Sequence, residues 1–254
     1  MFKNYEYRFE FKPGRFVYLP TDESRAVGKK IRREVLRRWQ PNSVFFHLLR
    51  RGGHIVALRR HLAQRFFGKR DIEHFFGKVT RTKVCRALRS VGFDNETAFD
   101  MAVQSTVDAE IGKHVPYGFV QSPVMATLAL EKSALGSFLT NQTPKQITVS
   151  AFVDDISFSS NDEAALQDYG TRLDESADTA GFPFAQDKTV VCEKSVEVFN
   201  CALENQGLEI TQDRLAKFLT QLETANELGR ESIIRYVNEI NPEQADELAS
   251  SFRG

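Results

Sequence analysis

The sequence has little of what marks metal, redox and membrane proteins. Only three cysteines occur in 254 residues, Cys85, Cys192 and Cys201, and none forms a Cys-x-x-Cys pair. An odd number without ligand spacing argues against a disulfide framework or a thiolate zinc site and leaves reduced, packed thiols. No apolar run approaches the roughly 20 residues of a membrane-spanning helix, and the polar start Met1-Phe2-Lys3-Asn4 does not read as a signal peptide. A cytoplasmic protein without a membrane partner is therefore expected. Neither Gly-x-x-x-x-Gly-Lys nor Gly-x-Gly-x-x-Gly occurs, so the common phosphate-binding loops are missing. His47, His54 and His61 fall seven apart, but Gly52-Gly53 interrupts any helix that would align them as zinc ligands.

Net charge is also missing, with 34 Lys and Arg against 34 Asp and Glu, but the balance hides a division. Residues 1–90 hold 23 Lys and Arg against 7 Asp and Glu, and residues 91–254 hold 11 against 27. A basic first third is an electrostatic footprint for phosphate, and an acidic remainder can supply metal ligands. Pairing of the two halves with each other, or with a partner protein, would use the same charges.

Local patterns divide the chain. Tyr5, Tyr7, Phe9 and Phe11, then Phe16 and Tyr18, alternate around Lys12-Pro13-Gly14-Arg15, which predicts a hairpin with cations at its turn. Val27, Ile31, Val35, Leu36 and Trp39 form one stripe of a helix over 24–39, and Lys29, Lys30, Arg32, Arg33, Arg37 and Arg38 cover the rest of its surface. Gly52-Gly53 beside Arg50 and Arg51 permits a tight turn suited to phosphate, followed by a helix over 55–67. Further helices are expected over 79–91, 124–139 (capped by Ser122-Pro123), 162–180, 211–228, 232–240 and 243–252, with a strand at 190–192 and a strand pair over 196–210.

The chemistry is concentrated in Thr148-Val149-Ser150-Ala151-Phe152-Val153-Asp154-Asp155-Ile156-Ser157-Phe158-Ser159. Apolar residues alternate on both sides of two adjacent aspartates, which predicts a hairpin with Asp154-Asp155 at its tip. Two carboxylates held there repel each other unless a cation sits between them, as at a divalent metal site. A solvated turn is the plainer reading of the same pair.

Three other segments accompany it in order: Asp71-Ile72-Glu73-His74-Phe75-Phe76, Pro116-Tyr117-Gly118-Phe119-Val120-Gln121-Ser122-Pro123, and Gly181-Phe182-Pro183-Phe184-Ala185-Gln186-Asp187-Lys188. Together the four resemble successive motifs of the reverse-transcriptase palm, in the prokaryotic branch that includes group II intron and retron enzymes. The resemblance implies an α+β right-hand polymerase: fingers over 1–68, a palm of antiparallel sheet flanked by helices over 69–209, and a short helical thumb over 210–254. It leaves no residues for a ribonuclease H, maturase or endonuclease domain. It also implies that Asp71, at the entry to a strand, and Asp154 hold two Mg2+ ions, with Mn2+ as the alternative metal and Asp155 in support. Lys12 and Arg15 would grip the triphosphate, and Phe76 would lie beneath the sugar and disfavour a 2′-hydroxyl. Tyr117 and Gly118 would support the base pair, with Gly118 allowing close backbone approach, and Lys188 would face the pyrophosphate. Lys29, Lys30, Arg33, Arg37, Arg50 and Arg51 are the candidate nucleic-acid contacts.

The chain departs from the family pattern in three places. Tyr117 replaces the usual glutamine, Val198-Phe199-Asn200-Cys201 replaces a Val-Thr-Gly signature, and Ala57-Leu58-Arg59-Arg60-His61 blurs Asn-Ala-x-x-His. The expected activity is RNA-directed DNA synthesis from dNTPs in bacterial anti-phage defence, templated by a structured non-coding RNA. A protein partner or a homo-oligomer is also open. The alternatives are a retron-type enzyme making RNA-linked DNA, a template-independent or protein-primed polymerase, and a catalytically silent nucleic-acid-binding protein.

Overall fold

A computed structural model describes residues 4–47, 53–110 and 112–253. Arg50 and Arg51 lie outside the described residues. The aromatic alternation forms β1 (Tyr5–Lys12) and β2 (Arg15–Pro20), turned at Pro13-Gly14, where Gly14 takes a φ of 71°. Helix α1 (Asp22–Arg38) begins two residues before its expected start, because the Thr21 side chain accepts a hydrogen bond from the Ser24 amide. Its stripe of Ile31, Val35 and Trp39 enters the main core.

Helix α2 (Gly53–Arg59) is shorter than the helix expected over 55–67. The chain turns so that His61 is buried against the sheet, and Phe66 and Phe67 already belong to β3 (Phe66–Asp71). Asp71 thus ends a strand rather than entering one, and Lys69-Arg70 is part of that strand. There follow α3 (Phe75–Lys78), α4 (Arg81–Ser90), α5 (Asn95–Gln104), β4 (Val107–Ala109) and β5 (Gly112–His114).

The expected helix over 124–139 is two, α6 (Ser122–Glu131) and α7 (Ala134–Asn141). Ser133 caps the second by accepting from the Gly136 amide, and a Cβ on Gly136 would stand 2.2 Å from the Leu130 carbonyl oxygen. Ser122 is the first residue of α6, not its cap, and donates its hydroxyl to the Pro116 carbonyl at 2.6 Å.

Next come β6 (Thr148–Phe152), β7 (Asp155–Ser160), α8 (Glu163–Ala180), a 3-10 turn over Gln186–Lys188, and β8 (Val190–Glu193). The strand pair expected over 196–210 is a three-stranded meander of β9 (Ser195–Val198), β10 (Cys201–Glu204) and β11 (Gly207–Ile210). Helices α9 (Gln212–Thr224), α10 (Glu227–Ile240) and α11 (Pro242–Arg253) complete the chain. The first break between them falls at Ala225-Asn226 rather than at Gly229. The Asn226 side chain accepts from the Gly229 amide at 2.9 Å, which draws Gly229 into the first turn of α10.

The central sheet has strand order β6-β7-β3-β8 and is antiparallel throughout. Its main core lies against α1, α4, α6, α7 and α8. A second core joins Ile55 and Leu58 of α2 and Phe67 of β3 to the meander and to α9, α10 and α11. The architecture is α+β, as expected.

Candidate active site

The central hairpin turns at Val153-Asp154, one residue earlier than the pair of aspartates suggested, and Asp155 is already the first residue of β7. The shift follows from pairing: Phe152 is opposite Asp155, which leaves a two-residue turn. Such turns need a positive φ, and Val153 supplies it at 61°. A β-branched residue is strained in this region, at about 1–3 kcal/mol.

The register also places Asp155 directly across from Asp71, at the end of β3. Ile72 donates its amide to the Asp154 carbonyl at 2.9 Å, and Ala185 donates to the Asp71 carbonyl at 2.9 Å. Three backbone segments therefore converge on the aspartates. Asp155, expected in a supporting role, is the one paired opposite Asp71.

Burial, reinforced by charge crowding, sets the site's electrostatics. Burial, and then the neighbouring Asp154, push the Asp155 carboxyl up to about 6. Burial likewise raises Asp154, with Asp71 adding to it. Two ammonium groups offset the repulsion. Lys188 donates to Asp71 Oδ1 at 2.9 Å, a contact that raises the lysine's own pKa, and Lys69 stands 3.8 Å from Asp155 Oδ1. Among the described residues, no three His, Cys, Asp or Glu side chains converge tightly enough to hold a metal ion. The donor chemistry nevertheless fits one: three carboxylates supply hard oxygen ligands, and the raised carboxyls show negative charge that a hard cation would relieve.

The β1–β2 hairpin comes to the same place. Arg15 is hydrogen-bonded to Tyr117 and is among the charges acting on Asp154, whereas Lys12, opposite it in register, is exposed. The Tyr117 ring meets Phe76 at 4.6 Å and Phe11 at 5.3 Å, and burial raises its hydroxyl pKa. Arg15, Phe76 and Tyr117 line a cavity of about 80 Å³ together with Phe16, Tyr18 and His114. Gly118 has a φ of 101°, and a Cβ there would lie 2.3 Å from the Tyr18 carbonyl oxygen. The close approach that demands glycine is thus to β2, docked by the Tyr18 amide donating to the Tyr117 carbonyl at 2.9 Å.

The remaining candidates lie on α1. Lys29, Lys30 and Arg33 are exposed, and Arg37 is exposed but paired with Glu34 at 2.8 Å. Two positioning residues escaped sequence reasoning. Arg70, 2% exposed, makes a two-pronged pair with Asp174 at 2.7 and 3.0 Å and donates to the Val190 carbonyl, fixing β3 against α8 and β8. His61 bridges Ser159 and Ser150, in β7 and β6, at 2.7 and 2.8 Å. The available signal for Arg70 was a charged run, Lys69-Arg70-Asp71, continuing directly from the strand start Phe66-Phe67-Gly68.

The model of the reverse transcriptase (RNA-dependent DNA polymerase) family matches residues 12–221. Among solved structures, telomerase from Candida albicans with a fragment of telomeric RNA superposes at a TM-score of 0.55 and 10% identity, over 90% of this chain and 49% of that one. The RNA polymerase complex inside a double-stranded RNA virus gives 0.53 and 12%, over 79% and 21%. A foamy viral protease-reverse transcriptase with double-stranded DNA gives 0.50 and 17%, over 90% and 34%. The chain spans half or less of each of these proteins, and at such identities the likeness is one of fold, that of the right-hand polymerases. No curated protein matches it in sequence. With the family model running from the end of β1 into α9, the chain belongs to the reverse transcriptases, the family of RNA-dependent DNA polymerases.

Proposed function

We propose that the chain extends a primer on an RNA template with deoxynucleotides, by two-metal nucleotidyl transfer. The observation that supports this most is the meeting of Asp71, Asp154 and Asp155 beside Arg15, Phe76, Tyr117 and Lys188. Asp71 and Asp154 would hold two Mg2+ or Mn2+ ions, with Asp155 in support. Bound there, the ions supply charge that lowers the pKa of the primer hydroxyl and neutralises the triphosphate.

The chain's own residues do the rest. Arg15 clamps the triphosphate, with Lys12 as a second cation from the same turn. Phe76 fills the space a 2′-hydroxyl would need, and Tyr117 and Gly118 form the wall beside the base. Lys188 exchanges Asp71 for the departing pyrophosphate and gives it a proton. Lys29, Lys30, Arg33 and Arg37, with Arg50 and Arg51, hold the nucleic-acid backbone. In this reading, residues 1–68 are fingers, 69–209 palm and 210–254 thumb.

The altered motifs lead us to propose a bacterial anti-phage role with a dedicated structured RNA as template, rather than typical retron synthesis. A template-independent reaction is the second reading, favoured by Tyr117, whose packed ring stands where the family carries an amide. Both are tested by incorporation of labelled dNTPs with Mg2+, with and without RNA, beside an Asp154→Ala/Asp155→Ala control. RNA-dependent product lost in the control supports the main reading, and product without RNA supports the second. Product that survives the double substitution overturns the site assignment.

A further inference from the structure

Among the described residues, five non-glycine residues take a positive φ, and three of them lie in two turns that meet. One is the turn of the candidate site, Val153-Asp154, with Val153 at 61°. The other joins β9 to β10, where pairing of Val198 with Cys201 leaves Phe199 at 55° and Asn200 at 61°. Asparagine tolerates this region, whereas a β-branched valine and a bulky phenylalanine are strained in it. Such conformations persist only where neighbouring contacts impose them.

Those contacts run through one histidine. The rings of Phe152 and Phe199 meet at 5.1 Å, and the His54 ring lies 5.8 Å from the first and 5.3 Å from the second. His47 also meets Phe152, edge-on at 5.0 Å. His54 is fixed in turn by α10, because its Nε2 is hydrogen-bonded to the Tyr236 hydroxyl at 3.0 Å. Burial lowers the pKa of His54 and raises that of Tyr236, so near pH 7 the bond joins two uncharged groups. At the end of α2, Arg59 donates to the Glu239 carbonyl, a second tie to α10. Tyr236 packs on Phe218 of α9 at 5.8 Å. Direct contacts thus lead from α9 and α10 to Phe152, the residue before the strained Val153, and packed chains of this kind can carry coupling.

We propose that His54 is a positioning residue for the reaction: held by Tyr236, it fixes Phe152 and Phe199, and through them the turn that presents Asp154. Packing alone would need the two rings but not the hydroxyl that orients one against the other. The inference rests on the polymerase reading of Asp154.

The test compares wild-type protein with Tyr236→Phe, which keeps the ring and removes only the hydroxyl, and with His54→Gln, which loses the ring. Two quantities are measured on the full chain: dNTP incorporation on a primed RNA across a range of Mg2+, and hydrogen exchange without Mg2+ or substrate. At limiting Mg2+, Tyr236→Phe is expected to lose roughly five- to tenfold in kcat, the worth of one hydrogen bond. KM for dNTP should stay within about twofold, and excess Mg2+ should restore the rate, because a displaced Asp154 binds the ion more weakly. Exchange should quicken by a similar factor at 152–156 and 198–201 and stay unchanged at 66–71 and 212–224. His54→Gln should show both effects. Unchanged Mg2+ dependence in either variant overturns the proposal, as does a loss of kcat that excess Mg2+ leaves in place. Faster exchange throughout the chain overturns it too, since His54 would then serve only the stability of the fold. Wild-type protein that incorporates no dNTP refutes the polymerase reading. In that case, locally faster exchange in Tyr236→Phe still supports the positioning of the turn, and unchanged exchange overturns it.

Discussion

At the scale of single residues, two titratable groups, the half-buried Asp155 and the buried His61, carry opposite pH signatures. Asp155 has a folded pKa of about 6 against an ordinary 3.8. Its stabilising effect is therefore complete below about pH 4 and lost as pH rises through about 6. At pH 8 its charge works against the fold, and Asp155→Asn is expected to raise stability by about 1–2 kcal/mol in chelator, after allowance for partial exposure. Urea unfolding measures this, and Mg2+ should stabilise wild-type protein more than the variant. A variant less stable than wild type would refute the crowding argument. His61 is held near 3 by burial, against an ordinary 6.5. Its contribution is present above pH 6.5 and lost as pH falls towards 3, a loss of about 2 kcal/mol by pH 5. Because Asp155 acts in the other direction over part of this range, the informative quantity is the difference between wild type and His61→Asn. The unfolding midpoint of the variant should fall less between pH 7.5 and 5. Phe76 packs under Tyr117, so Phe76→Ala is expected to raise ribonucleotide relative to deoxynucleotide incorporation at least tenfold in kcat/KM.

At the scale of elements, the joint between the β1–β2 hairpin and the loop before α6 depends on one glycine. Gly118 combines a left-handed backbone with a 2.3 Å approach to Tyr18, so Gly118→Ala meets both strain and collision. The variant should lose about 2 kcal/mol or more of docking energy. Hydrogen exchange would show it as faster exchange across residues 5–20, with 66–71 and 148–160 still protected. Uniform loss of protection would instead make Gly118 a determinant of the whole fold. Arg70 plays the corresponding part for β3: its bonds to Asp174 and to the Val190 carbonyl fix the strand whose last residue is Asp71.

At the scale of the whole molecule, net neutrality conceals a charge separation that should be visible in binding. Each lysine or arginine that neutralises a phosphate steepens the dependence of affinity on salt by about one unit of log–log slope. Lys29→Ala/Lys30→Ala should thus flatten the slope for an RNA–DNA hybrid by about two. Arg37→Ala should change it less than Arg33→Ala, because Glu34 already holds Arg37. Titrations at several salt concentrations decide the matter, and an unchanged slope in the lysine variant would remove α1 from the nucleic-acid face.

Elements whose signal is local were legible from the residues alone. Aromatic alternation around Pro13-Gly14 specified the β1–β2 hairpin, the stripe from Val27 to Trp39 specified α1, and alternation on both sides of the paired aspartates specified the β6–β7 hairpin that carries the candidate site. Turn positions, helix breaks and strand lengths were decided by contacts between distant segments. Cross-strand pairing of Phe152 with Asp155 moved the turn to Val153-Asp154, and the burial of His61 between Ser150 and Ser159 ended α2 early. Only the tertiary structure set Asp155 opposite Asp71, put Lys188 on Asp71, and turned Gly118 towards Tyr18. The physical reason is range: backbone propensity and hydrophobic period are written within a few residues. The charge and close packing that define the site come from segments up to 117 positions apart, as Asp71 and Lys188 are.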